Sequence, residues 1–340
     1  MIGQSDAKSE TEQRGNSDIF AERRNLKPYE YSEFLEYTDA IRNSYWVHTE
    51  FNFSGDVQDY KVDTTPVEKS VIRKTMLAIA QIEVQVKTFW ADIYNQMPKA
   101  EIGSVGMTFA ESEVRHMDAY SHLLAVLGIE DDFEELTHVP AIRDRIEYLD
   151  DYLEGTDSDD KEEYVMSLLL FSIFIEHVSL FSQFLIMTSF DKYEKKFKGI
   201  SNAVEATSKE EQIHGLFGVE LVNTIQDENP ELFGEDFDER VQEACENAYD
   251  AEMNILDWIF SKGELAFLPR AHIDAFVKNR FNSSLENVDV DPVFETDEDL
   301  VAETRWFDED IMMTKHNDFF AKRSTTYNKN TKSVTAADMF

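Results

Sequence analysis

Val165 to Met187 reads VMSLLLFSIFIEHVSLFSQFLIM, a 23-residue, mostly apolar run with Glu176 and His177 at its centre. By length it meets the requirement for crossing a bilayer. A central carboxylate, however, costs an isolated span roughly 2.5–3.5 kcal/mol. The preceding SDDKEEY also lacks the positive cluster that orients insertion. The run is therefore read as a buried helix, because a helix apolar all round belongs in the middle of a large bundle. A carboxylate there must be paired, protonated or bound to metal.

Working outward, the flanking segments also read as helices. Residues 26–46, LKPYEYSEFLEYTDAIRNSYW, form a first short one. After the Asp63-Thr-Thr-Pro66 turn, with Pro at a first helical position, a helical pattern runs from Val67 to about Met97 with no internal Gly or Pro. A further helix spans SVGMTFAESEVRHMDAYSHLLAVLG, whose Gly128 is a stop signal. Shorter pieces fit EDDFEEL and AIRDRIEYLDDYL, and later helices fit residues 202–225, 236–260 and 269–281. No β-alternation or repeat is evident. The pattern predicts an all-α bundle of one domain, residues 28–306, between a polar arm at 1–27 and a flexible tail at 307–340.

Composition narrows the functions. The 340 residues hold only 12 Gly and 7 Pro, which favours long helices over many turns. A formal charge of -37 argues against nucleic acid or an anionic membrane as partner, since phosphate contacts use Lys and Arg. The single Cys245 excludes an internal disulfide framework and Cys-rich metal sites. The polar start MIGQSDAKSETEQRGN has no apolar h-region, so a cytoplasmic protein is expected.

The chemistry rests on two Glu-x-x-His units, Glu113-Val-Arg-His116 and Glu211-Gln-Ile-His214. The i, i+3 spacing puts carboxylate and imidazole on one helical face within reach of one ion. With 8 His in the chain, about one such pair arises by chance. Glu135-Leu-Thr-His138, in a short acidic segment ending at Pro140, is taken as that one. Singly, Glu113 or Glu211 reads as a solvated charge and His116 or His214 as a satisfied core histidine. Two more carboxylates, Glu83 and Glu176, lie in apolar stretches of the remaining long helices. One Glu from each of two helices plus a Glu-x-x-His from each of two others is the ligand pattern of di-iron and di-manganese carboxylate bundles. His177, His122 and His48 are left as structural.

These residues make the chain resemble the small, radical-generating subunit of class I ribonucleotide reductase, from about Leu26 to Phe340. The resemblance implies a ferritin-like helical bundle with a dinuclear metal site. It assigns Glu83, Glu113, His116, Glu176, Glu211 and His214 as ligands of two divalent ions per chain. Tyr120, seven residues after Glu113, matches the family's radical tyrosine. Trp46 in NSYWVHTEF matches the relay tryptophan, and Tyr327 the tyrosine that passes the electron to the large subunit. The end AADMF resembles the docking tail.

There are departures. Glu83 stands where many members have Asp, and Glu210 where the relay usually has Asp. Leu180, Phe184 and Thr207 occupy a radical pocket that is often fully apolar. Lys87 lies one turn after Glu83. The pattern QIEVQVKTFW resembles the subclass with a superoxide-oxidised dimanganese centre whose tyrosine stays unoxidised, so manganese is preferred, with iron as the alternative. All three Glu replaced in the metal-free subclass are present, and the short arm is too small for an ATP-binding cone. The implied assembly is a homodimer that binds the large catalytic subunit through its tail. The chain has no Cys pair to reduce substrate, so its role is to make a one-electron oxidant and export it. The rivals are a bundle oxidase or monooxygenase, which needs neither Trp46 nor Tyr327, and a cage-forming iron store.

Overall fold

A computed structural model describes residues 18–310 apart from Gln85, with only the backbone described at Lys87, Asp151, Tyr152 and Asp157. Among the described residues the chain is helical, its only β-feature being an isolated Leu265–Leu268 bridge. We number the main helices α1 Leu35–Ser44, α2 Pro66–Ile82, α3 Val86–Gln96, α4 Ala100–Leu127, α5 Pro140–Glu154, α6 Lys161–Glu194, α7 Lys198–Glu228, α8 Phe237–Ile259 and α9 Arg270–Glu286. Helix α6 contains the apolar run Val165–Met187. From Tyr164 to Phe190 it is buried, packed on α7 and α9.

Local chemistry explains several boundaries. Thr65 and Glu68 form a reciprocal capping box that starts α2, with Pro66 at the first turn. Gly128 ends α4 in the left-handed conformation (φ 71°), as the sequence signal requires. At the start of α7, Asp56 accepts the Ile200 N–H at 2.8 Å and Asp59 the Phe197 N–H at 2.7 Å. Two carboxylates thus satisfy free donors of the helix that carries Glu211 and His214.

Two features depart from the sequence reading. The continuous helix expected over 67–97 ends at Ile82 and resumes at Val86, with Glu83 and Val84 in a turn, so that it is divided into α2 and α3. No Gly or Pro marks the break; it falls at a carboxylate turned into the core, where tertiary demand overrides propensity. Helix α6 is not uniformly α-helical, because Phe171–Ser179, around Glu176, is a π-helical stretch. Such wide turns recur at functional sites.

The ends of the body also differ from the expected 28 and 306. Within the expected arm, Ile19 is buried and its N–H donates to Glu228 at 3.0 Å, while Arg23 pairs with buried Glu101. Tyr31 joins the same strap, its N–H bonding Glu101 at 3.0 Å and its hydroxyl Glu228 at 2.9 Å. Phe307, assigned to the tail, is buried against Phe276, and Asp308 pairs with Arg280 at 2.7 Å. Residues 1–17 and the tail from 311, with Tyr327 and the AADMF end, lie outside the described residues.

Candidate metal centre

Glu83 from the α2–α3 break, Glu113 and His116 from α4, Glu176 from α6, and Glu211 and His214 from α7 converge in the middle of the bundle, all essentially inaccessible to solvent. Their ligand atoms form two quartets, each with its atoms within 4.8 Å of one another: Glu83, Glu113, His116 and Glu211, and Glu113, Glu176, Glu211 and His214. Glu113 and Glu211 belong to both.

The imidazoles are oriented from behind. His116 Nε2 lies 2.7 Å from Glu210, an acceptor only, so Nε2 carries the proton and Nδ1 faces the site. Ser112 donates its hydroxyl proton to Phe109 O at 2.7 Å. Its oxygen therefore accepts from His214 Nε2 at 2.9 Å, again leaving Nδ1 toward the carboxylates. Fixing the tautomer through the distal nitrogen is how metal-binding histidines are held.

Most of what faces inward lacks a hydrogen-bond partner. His116 Nδ1 lies 2.9 Å from Glu211 Oε1 and 3.4 Å from Glu113 Oε2, and His214 Nδ1 lies 2.8 Å from Glu113 Oε1. Yet His116 Nδ1, one Glu211 oxygen and both oxygens of Glu83 and of Glu113 make no hydrogen bond. Lone pairs pointing at a common space, rather than at donors, suit cations and little else.

Charge gives the same answer. Burial, then repulsion from Glu113, Glu211 and Glu176, raises the Glu83 carboxyl well above the usual range despite the pull of His116. Glu176 is raised in the same way, by burial first and then by Glu211 and Glu113. Burial opposes protonation of His116 and His214, but the carboxylates around them prevail and raise both far above an ordinary imidazole. Glu211 moves the other way: burial would raise it, but His116 and His214 hold it below the usual range. Four buried carboxylates against two imidazoles leave a deficit of positive charge, which two divalent ions would fill.

Beyond the ligands, Arg115 forks onto Glu210 at 3.1 and 3.2 Å and donates to the Trp46 carbonyl at 3.1 Å. Trp46 is buried and stacks on His116, with ring centroids 5.8 Å apart at 17°. The longer Glu210 therefore does reach His116. The indole N–H of Trp46, however, has no partner, and the connection to Trp46 runs through its carbonyl and its ring face. Tyr120 is buried in the same core, its hydroxyl outside hydrogen-bond geometry. Burial first, and Glu83 second, push its phenol up, with nearby Thr207 opposing. Lys87 lies on α3, and its side chain is outside the description.

Of the residues set aside, His138 and Glu135 are exposed and 3.9 Å apart. His177 bonds Ser284 at 2.6 Å, and His48 lies against His122 with centroids 5.0 Å apart. The sequence reading missed Ser112, Arg115 and Trp90, the last of which donates to Glu176. All three lie beside quoted motifs, but no spacing rule separates them from ordinary helix residues.

Similarity to known proteins follows this geometry. Over 327 residues the chain is 24% identical to a probable ribonucleoside-diphosphate reductase small subunit of Invertebrate iridescent virus 3, covering 92% of this chain and 86% of the relative. Its fold is similar to the ribonucleotide reductase R2 subunit from Clostridium botulinum, with a TM-score of 0.75 and 15% identity over 85% of this chain and 91% of that one. It is also similar to the dimanganese(II)-NrdF of Streptococcus sanguinis, with a TM-score of 0.69 and 16% identity over 85% and 99%. The family model described as ribonucleotide reductase, small chain, matches residues 23–301. A match of that extent, around a core built for two cations, places the chain in the ribonucleotide reductase small-chain family.

Proposed function

We propose that Glu83, Glu113, His116, Glu176, Glu211 and His214 hold two manganese ions, and that the oxidant stays with the metals while Tyr120 keeps its proton. The carrying observation is the pair of interlocked quartets sharing Glu113 and Glu211. Carboxylate and imidazole donors suit manganese and iron alike. The dimanganese(II) content of the Streptococcus neighbour supports manganese. Once bound and oxidised by an external oxidant such as superoxide, the ions would supply a one-electron oxidant for the large subunit, which reduces ribonucleotides.

The chain's own residues do the rest. Glu113 and Glu211 are shared between the two quartets, while Glu83 and Glu176 each belong to one. Glu210 holds the His116 Nε2 proton, and Arg115 balances the Glu210 charge and ties it to the Trp46 backbone. The stacked Trp46 ring is the natural exit from His116 toward the surface, and Tyr327 in the tail is the next station. An oxidase acting on its own substrate would need no such route. Lys87, four residues after Glu83 in the sequence and on α3, is assigned the guiding of an anionic oxidant toward the site. The working assembly is a homodimer in the cytoplasm, docked to the large subunit through the tail and binding neither nucleic acid nor membrane.

Tyr120→Phe tests where the oxidant rests. With metals loaded and large subunit supplied, the variant should keep deoxyribonucleotide formation within about tenfold of the parent, roughly 1.4 kcal/mol of barrier. A fully inactive variant with two ions bound would restore the tyrosyl-radical reading.

The tail has two separable roles. Removing residues 321–340 should leave metal content intact and abolish binding to the large subunit, measured by analytical ultracentrifugation. Tyr327→Phe should preserve that complex but stop turnover, since phenylalanine cannot be oxidised in its place. Parental turnover in the substituted protein would remove Tyr327 from the route.

A further inference from the structure

Trp90 on α3 is completely buried, and its indole N–H donates to Glu176 Oε1 at 2.7 Å. Burial alone does not explain the bond, since the indole N–H groups of Trp46 and Trp306 are buried without any partner. The bond also singles out one ligand. Both oxygens of Glu83 and both of Glu113 lack a hydrogen-bond donor, and Glu211 bonds only to His214, itself in the cluster. Among the described residues, Glu176 is the one carboxylate of the four held from outside the cluster.

The hold is stiff on the Trp90 side and needed on the Glu176 side. The indole packs among Phe89, Phe109 and Phe217, with centroids 4.8, 5.1 and 5.8 Å away. Its backbone presses on α4 at Gly106, where a Cβ would lie 2.4 Å from the Trp90 carbonyl oxygen, so only glycine allows the approach. Glu176, by contrast, hangs from a π-helical stretch, whose i→i+5 turns are wider and less regular than an α-helix. With Oε1 occupied, Oε2 is the oxygen left free, 3.5 Å from His214 Nδ1.

We propose that Trp90 is a positioning residue for one half of the metal centre. By engaging Oε1, it presents Oε2 of Glu176 to the ion position shared with Glu113, Glu211 and His214, and it acts through Glu176 alone. The proposal rests on the dinuclear reading above. Groups that hold a ligand from behind typically change metal affinity 10–100-fold.

The test is titration of the full-length apoprotein with Mn(II), following the free aquo ion by EPR. Trp90→Phe should weaken one of two ions by about 10–100-fold and leave the other at parental affinity. Trp306→Phe, which removes a buried indole N–H that has no partner, should bind both ions as the parent does. In a Glu176→Ala background, adding Trp90→Phe should not change the ion that remains. Far-UV circular dichroism of each apoprotein checks that the bundle is intact. If the parent binds two ions and Trp90→Phe binds both with parental affinity, the role of Trp90 is overturned and the dinuclear reading stands. An equal loss from Trp90→Phe in the Glu176→Ala background would also overturn it, since the effect would then be packing. A parent chain that binds fewer than two ions would overturn both.

Discussion

Glu176→Ala should leave one tightly held metal ion per chain where the parent holds two, and deoxyribonucleotide formation should fall to background. Glu176 is buried in the least polar helix of the bundle and belongs to one ligand quartet only, so the other quartet remains complete without it. The sign of the stability change separates this from a folding defect. In the apoprotein, Glu176 is a buried carboxyl raised well above its usual range by burial and by Glu211 and Glu113. Removing such a group relieves the cost of burying it beside other carboxylates, although it leaves the Trp90 N–H unpaired, at a cost of about 1–3 kcal/mol. The two effects oppose each other, so the unfolding midpoint of the apoprotein should move little while metal content halves. Metal analysis after gel filtration reads the result. Two equivalents retained per chain would remove Glu176 from the ligand set.

Glu210→Ala should destabilise the protein by about 3–5 kcal/mol, because it strips the partner from a buried charge. Arg115 is 5% exposed and forks onto Glu210, and the same carboxylate accepts the His116 Nε2 proton at 2.7 Å. The lower end of the range is favoured, since Glu111, half-exposed, still pairs with Arg115 at 2.9 Å. Glu210→Gln keeps an acceptor for His116 and should recover much of the stability. It should not recover electron transfer, because a neutral amide lacks the negative charge that pairs with Arg115 and balances charge on His116. Denaturant unfolding and turnover with the large subunit separate the two losses. Parental stability in Glu210→Ala would show that the Arg115–Glu210–His116 chain is not a structural unit.

Much of this site is legible in the linear sequence because its signals are local. An i, i+3 Glu and His share a helix face whatever the rest of the fold does, and a carboxylate in VMSLLLFSIFIEHVSLFSQFLIM conflicts with its surroundings unless something binds it. Gly128 and Thr65-Pro66 mark boundaries for the same reason, since the backbone groups they satisfy lie within one turn. The exposed Glu135 and His138 show the limit of the rule, because spacing alone does not bury a pair.

The sequence by itself thus determined the all-α bundle and the buried character of α6, and it singled out Glu113, His116, Glu211 and His214 by spacing and Glu83 and Glu176 as carboxylates in apolar stretches, the family resemblance supplying their role as ligands. Only the tertiary structure decided how those ligands are held. Ser112 meets His214 across 102 residues, Arg115 meets Glu210 across 95, and Trp90 meets Glu176 across 86. The break at Glu83 and the π-helical turn around Glu176 likewise have no breaker residue to announce them. The segment Ile19 to Arg23 reads as part of an unstructured arm until Glu228 and Glu101 are seen to bind it. The physical reason is common to all of them: hydrogen bonds and close packing depend on distances in space, and residues far apart along the chain acquire those distances only once the helices have packed.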